Sequence, residues 1–179
     1  MAHARGFTLL ELLATVAIVM IVLAVAVPSM TDMTRRNRLA AAHNEFLSSL
    51  YLLRSEAAKR NRTMKMCRLS RDSANDCATT ADEGWETGWA IWPDLNGNDR
   101  IDADETVVSL RQALPADVRL RGNGTSLVRK IAFRATGMPA GFNNGTFTVC
   151  VDGHAQARQI VISTAGRIRV RKVASEAVC

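Results

Sequence analysis

From Phe7 to Val27 the chain is apolar except for Glu11 and two threonines, and the first 62 residues contain no glycine other than Gly6. About 20 apolar residues in helical form span a bilayer, so this run predicts a membrane-crossing helix. A lone carboxylate such as Glu11 inside an apolar helix is unfavourable unless it has a partner or a function. Pro28 stands where the run ends and predicts a kink there, because proline removes one helical hydrogen bond. Beyond it Leu39, His43, Phe46, Leu50, Leu53 and Ala57 recur at spacings of three and four, opposed by Arg35, Arg36, Arg38, Arg54 and Arg60. That periodicity predicts an amphipathic continuation whose apolar stripe packs on the rest of the chain. His43 reads as a core or edge member of the stripe, not as a ligand.

After Arg62 the period changes from helix to strand. Short β-like runs occur at Met64–Leu69, Trp89–Trp92, Thr106–Leu110, Leu127–Phe133, Thr146–Val151, Gln159–Ser163 and Arg167–Val173. Turn-forming sequences such as Asn96-Gly97, Gly122-Asn123-Gly124, Gly137-Met138-Pro139, Asn143-Asn144-Gly145 and Asp152-Gly153 separate many of them. One long helix followed by short strands predicts an α+β fold, with an antiparallel sheet wrapped on the helix.

The order of signals at the N-terminus differs from that of an ordinary signal peptide, which is cut after its apolar region. Here Arg5 and Gly6 come first and the apolar run begins at once with Phe7-Thr8-Leu9-Leu10-Glu11. This resembles the processing site of type IV prepilins and pseudopilins. The resemblance implies cleavage by a prepilin peptidase between Gly6 and Phe7, N-methylation of Phe7, and pairing of Glu11 with the Phe7 amine of a neighbouring subunit. It implies a leader over 1–6, a transmembrane and assembly helix over 7–29, the soluble half of that helix over 30–62, and a β-rich globular domain over 63–179. The expected location is the bacterial inner membrane, crossed once with the globular domain in the periplasm, and then a pilus at the cell surface. The expected partners are other major and minor pilins.

The stretches Gly88-Trp89-Ala90-Ile91-Trp92-Pro93-Asp94, Phe133-Arg134-Ala135-Thr136-Gly137 and Gln159-Ile160-Val161-Ile162-Ser163 narrow the resemblance to the FimT/GspH branch of minor pilins and pseudopilins. Charge is divided along the chain: residues 64–105 hold 10 acidic and 4 basic side chains, residues 106–179 hold 11 basic and 3 acidic. A basic C-terminal half suits a polyanion, and equally an ordinary solvated surface. Near the end, Gly166-Arg167-Ile168-Arg169-Val170-Arg171-Lys172 places three arginines on alternate positions. In a strand these share a face at about 6.6 Å spacing, with Ile168 and Val170 on the other. FimT-like minor pilins that act in DNA uptake carry a similar Gly-Arg-x-Arg motif. The resemblance therefore implies non-specific binding of double-stranded DNA and a part in natural transformation, through Gly166, Arg167 and Arg169; the spacing and charge of the residues add Arg171 and Lys172, with Arg119 and Arg121 from a neighbouring basic strand as further candidates. The same pattern also suits a basic edge strand that blocks sheet aggregation. The second functional reading is accordingly structural: a pseudopilin or minor pilin that caps or primes a filament of a type II secretion system or pilus, without DNA.

No catalytic constellation emerges around the three histidines, no phosphate-binding glycine loop is present, and the chain reads as a non-enzyme. Asp94, Asn96, Asn98, Asp102 and Glu105 match ligand positions of an EF-hand-type calcium loop, with Ile101 at the usual apolar place. Asp99 replaces the turn glycine, and the flanks read as strands, so an acidic hairpin loop is the plainer reading and no cofactor is required. Cys67, Cys77, Cys150 and Cys179 allow three pairings. Export favours disulfides, and Cys67–Cys77 with Cys150–Cys179 closes the shorter loops; the residues alone leave the other pairings open.

Overall fold

The computed structural model describes residues 6, 8–71, 76–78, 84–123, 127, 129–142, 144–175 and 179. Phe7 and most of the leader lie outside the described residues, as do Gly124 and Asn143 of the expected turns. The chain divides into two compact units, residues 1–37 and 38–179. Helix α1 covers Leu9–Lys59.

In the first unit the apolar residues of α1 are exposed along its length. It is long and apolar enough to cross a membrane. Its start is capped by Thr8, whose hydroxyl accepts the Glu11 amide N–H at 3.3 Å. Thr8 and Glu11 thus stand at the spacing of a capping box, and Glu11 sits where a helix N-terminus favours negative charge.

In the second unit the stripe Leu39, His43, Phe46, Leu50, Leu53 and Ala57 is buried. Two sheets receive it, where a single sheet was expected. The first has five antiparallel strands in the order β3-β2-β1-β5-β6: β1 Met64–Arg68, β2 Trp89–Trp92, β3 Ser109–Arg111, β5 Lys130–Phe133 and β6 Pro139–Ala140. The second has four in the order β4-β7-β8-β9: β4 Val118–Gly122, β7 Gly145–Val151, β8 Gln156–Ile162 and β9 Ile168–Ala174. Alternation in a sequence says which face of a strand is buried, but pairing between distant segments is decided by tertiary packing. At the centre Phe46 makes edge contacts with Trp85 and Trp89, centroids 5.5 and 5.1 Å away, and a tilted contact with Phe147 at 4.9 Å. Such pairs add about 0.5–1.5 kcal/mol each beyond area burial.

Two indole N–H groups in this core are matched. Trp89 Nε1 donates to Ser49 Oγ at 2.9 Å and Trp85 Nε1 to the Leu127 carbonyl at 2.7 Å. The second bond draws the Leu127 carbonyl to the indole, and the strand expected from Leu127 begins only at Lys130. The run expected at Thr106–Leu110 pairs only over Ser109–Arg111, against Trp89–Ile91.

Candidate nucleic-acid interface

Strand β9 is an edge of the four-stranded sheet, bonded to β8 alone. The hairpin between them closes at Ser163 and Arg167: the Ser163 N–H donates to the Arg167 carbonyl at 3.0 Å, and the Arg167 N–H to Ser163 Oγ at 3.1 Å. Gly166 makes this turn possible. Its φ is +72°, and a Cβ there would stand 2.3 Å from the Gly137 carbonyl oxygen. Arg54 of α1 donates to the Gly166 carbonyl at 2.9 Å. Gly166 is buried, so its part is to shape the turn that presents Arg167. Arg54, expected on the solvated side of its helix, instead ties that turn to α1.

Register settles which side chains share a face, since directly paired residues of antiparallel strands project together. Arg121, Thr148, Gln159 and Arg171 form one row across all four strands. Thr146, Val161 and Arg169 form the next. Arg169 and Arg171 therefore lie on the outer face, opposite to the core residues Ile160 and Ile162. Gln159, 8% exposed, donates Nε2 to Thr148 Oγ1 at 3.2 Å and accepts Arg171 Nε at 2.8 Å. The bond leaves Arg171 its charge and holds the guanidinium by one edge. Ile168 and Val170 share the other face, as expected; Ile168 packs against the core, whereas Val170 is 54% exposed, because that side of the edge strand is uncovered there.

Arg119 and Arg121 were expected on a strand beside the arginine stripe. They lie on β4, at the opposite edge, because β7 and β8 intervene; three strand spacings are about 14 Å. Both are already paired, Arg119 with Asp152 at 3.2 Å and Arg121 with Glu86 at 3.0 Å. Arg167, Arg169 and Lys172 are exposed and have no carboxylate partner among the described residues.

The inner side of the same edge holds a residue the sequence did not single out. Arg158 of β8 stands directly opposite Lys172 of β9. It also lies near His43 of α1, whose imidazole is held below its ordinary pKa chiefly by burial and further by Arg158, against the hydrogen bond to Asn44. Strand alternation would have placed Arg158 and Gln159 on opposite faces; only the pairing with β9 reveals what each one meets.

The five calcium candidates lie in one loop over 94–105, but lysines, asparagine amides and backbone N–H groups already serve its carboxylates. Lys65 Nζ bridges Asp94 and Asp99, and Lys130 Nζ holds the other oxygen of Asp99. Asn96 and Asn98 both turn their amide N–H groups, at 2.7 Å, toward one oxygen of Asp102. Glu105 accepts the backbone N–H groups of Leu95 and Asp102 at 2.6 and 3.2 Å. Asp99 takes φ +63° where the calcium-loop pattern has glycine. Burial raises the carboxyl pKa of Asp94 and Asp99, but the lysines and, at Asp94, two backbone N–H groups outweigh it and hold both below the ordinary carboxylate range. Among the described residues no group of three or more His, Cys, Asp or Glu is placed to hold a metal.

Cys67 is bonded to Cys77, and Cys150 to Cys179. The first bond joins β1 to the segment after it; the second returns the C-terminus to β7, where Cys150 pairs in register with Arg119.

A long N-terminal helix packed through its second part on antiparallel sheets, with an apolar first part, defines a type IV pilin-like subunit. Residues 42–166 match the family of the type II transport protein GspH, and residues 1–27 match the prokaryotic N-terminal methylation motif. The chain belongs to the GspH family of minor pilins and pseudopilins. It is 26% identical to the type IV minor pilin FimU of Pseudomonas aeruginosa, with a TM-score of 0.59 over 78% of this chain and 92% of that one. The minor pseudopilin EpsH from the type 2 secretion system of Vibrio cholerae shares the fold at 11% identity, with a TM-score of 0.53 over 75% of this chain and 96% of that one. No curated protein sequence matches the chain significantly. Minor pilins and pseudopilins assemble with other pilins in filaments, and their methylation-motif leader is removed by a peptidase. The family match ends at residue 166, so the arginines of β9 lie beyond it.

Proposed function

We propose that this minor pilin binds double-stranded DNA without sequence preference through the β9 edge and aids DNA uptake in natural transformation. The observation that carries the reading is the exposed group Arg167, Arg169 and Lys172, on an edge strand and the turn that leads into it, without carboxylate partners among the described residues. Arg171 joins it, prepositioned by Gln159. Phosphate contacts of this kind carry no base information. The peptidase removes residues 1–6, the apolar helix anchors the chain once in the inner membrane with residues 38–179 on the periplasmic side, and assembly carries the unit to the pilus surface. Mass spectrometry of the mature protein then finds methylated Phe7 as its first residue; a mature chain beginning beyond Pro28 refutes that processing.

The test is titration of a short labelled duplex with the full-length chain in detergent. About three neutralised phosphates give a slope of log K against log salt near −3 or steeper, with affinity on the order of micromolar. Replacing Arg167 and Arg169 with Gln removes most of the binding and leaves folding intact, since exposed substitutions change stability by about 0.5 kcal/mol or less. Equal affinity in the double variant and the parent overturns the reading. It would favour a structural or priming role in a type II secretion system or pilus, the role that the GspH match by itself suggests.

A further inference from the structure

We propose that β9 grips a DNA duplex from both of its faces, with Arg158 and Lys172 forming a second phosphate-binding wing on the side opposite Arg169 and Arg171. The inference rests on the DNA-binding reading and assigns it a geometry.

Alternate residues of a strand project to opposite faces. Lys172 is therefore on the other side of β9 from Arg169 and Arg171, together with its register partner Arg158. Directly opposed residues have Cβ atoms about 4.5–5.5 Å apart, and like charges so placed repel. Neither cation has a carboxylate partner among the described residues, and Lys172 and its neighbour Val170 are exposed. Two unneutralised cations held side by side form a site for adjacent phosphates of one backbone. A strand edge with cations on one face only would match a single backbone. With cations on both faces it fits between two phosphate walls, as a groove of a duplex presents them; the major groove, about 12 Å wide, admits β structure. A single strand offers no second wall. The ligand is thus the phosphodiester backbone of a duplex, met along both strands.

The experiment compares the full-length chain in detergent on a duplex and on a single strand of equal length, over a series of salt concentrations. Five cations acting together give a duplex slope near −4.5, at about −0.9 per phosphate. R158Q/K172Q flattens that slope by about 1.8 and K172Q alone by about 0.9. K172Q alters an exposed side chain, so its result stands even if the Arg158 substitution disturbs folding. On the single strand both variants keep the parent's slope, with a change well under the about 0.7 that one phosphate contributes. An unchanged duplex slope in K172Q and in folded R158Q/K172Q, with R167Q/R169Q still weakened, overturns the two-faced grip and leaves DNA binding standing. Binding unaffected by R167Q/R169Q overturns the underlying reading instead. Equal flattening on duplex and single strand places all cations on one backbone, which also overturns the proposal.

Discussion

Replacing Gly166 with Ala tests whether the turn before β9 is set by packing against α1. Gly166 adopts φ +72°, which costs a non-glycine residue about 1–2 kcal/mol. The added methyl would lie 2.3 Å from the Gly137 carbonyl oxygen, and this neighbour is backbone, itself close to Arg54. Relief requires the two turns to part, which draws the Gly166 carbonyl away from Arg54, now at 2.9 Å. A hydrogen bond to a charged group contributes about 1.5–3 kcal/mol. The total is about 2.5–5 kcal/mol. With m near about 2 kcal/mol per molar urea, the unfolding midpoint falls by roughly 1.3–2.5 M. Trp85, Trp89 and Trp92 are each 0% exposed, so their fluorescence reports the loss of this unit. Gly97→Ala is the control: φ is +79° there, but nothing lies within 4 Å of the added Cβ, and only the backbone term of about 1–2 kcal/mol applies. A midpoint for G166A no lower than that of G97A refutes the close-packing argument.

Asp94 and Asp99 have folded pKa values below their unfolded ones, so their contribution to stability is present at neutral pH and is lost as pH falls below about 4 and through the folded values. Acid denaturation of the parent therefore shows a loss in that window that D94N/D99N lacks; identical acid profiles refute it. Removing Cys150–Cys179, which spans 29 residues, destabilises by about 3–4 kcal/mol, roughly 1 kcal/mol more than removing Cys67–Cys77, which spans 10. Urea melts of the two double-serine variants decide this, and thiol titration of the denatured, unreduced parent finds no reactive group. Gln159→Leu frees Arg171, so DNA affinity falls about two- to tenfold through the entropy of reordering one side chain. The salt slope holds, because the charge remains; a flattened slope would show that Gln159 does more than position Arg171.

Much of this architecture was legible in the residues before any coordinates. The apolar run from Phe7, Glu11 within it and the three-and-four spacing from Leu39 to Ala57 are local patterns, and local patterns specify helices and their buried faces. Residue alternation likewise put Arg169 and Arg171 on one side of a strand. What a one-dimensional pattern does not carry is the identity of a strand's neighbours. Tertiary pairing alone divided the strands between two sheets and sent Arg119 and Arg121 to the far edge, where Asp152 and Glu86 hold them. It brought Arg158 against Lys172, and it turned Arg54 from a solvated arginine into the donor that fastens Gly166. It also aimed Lys65 and Lys130 at an acidic loop whose own sequence suggested a metal. Each of these joins residues far apart in the chain. Their placement depends on which long-range contacts close the core around Phe46, and no spacing within a single segment encodes that choice.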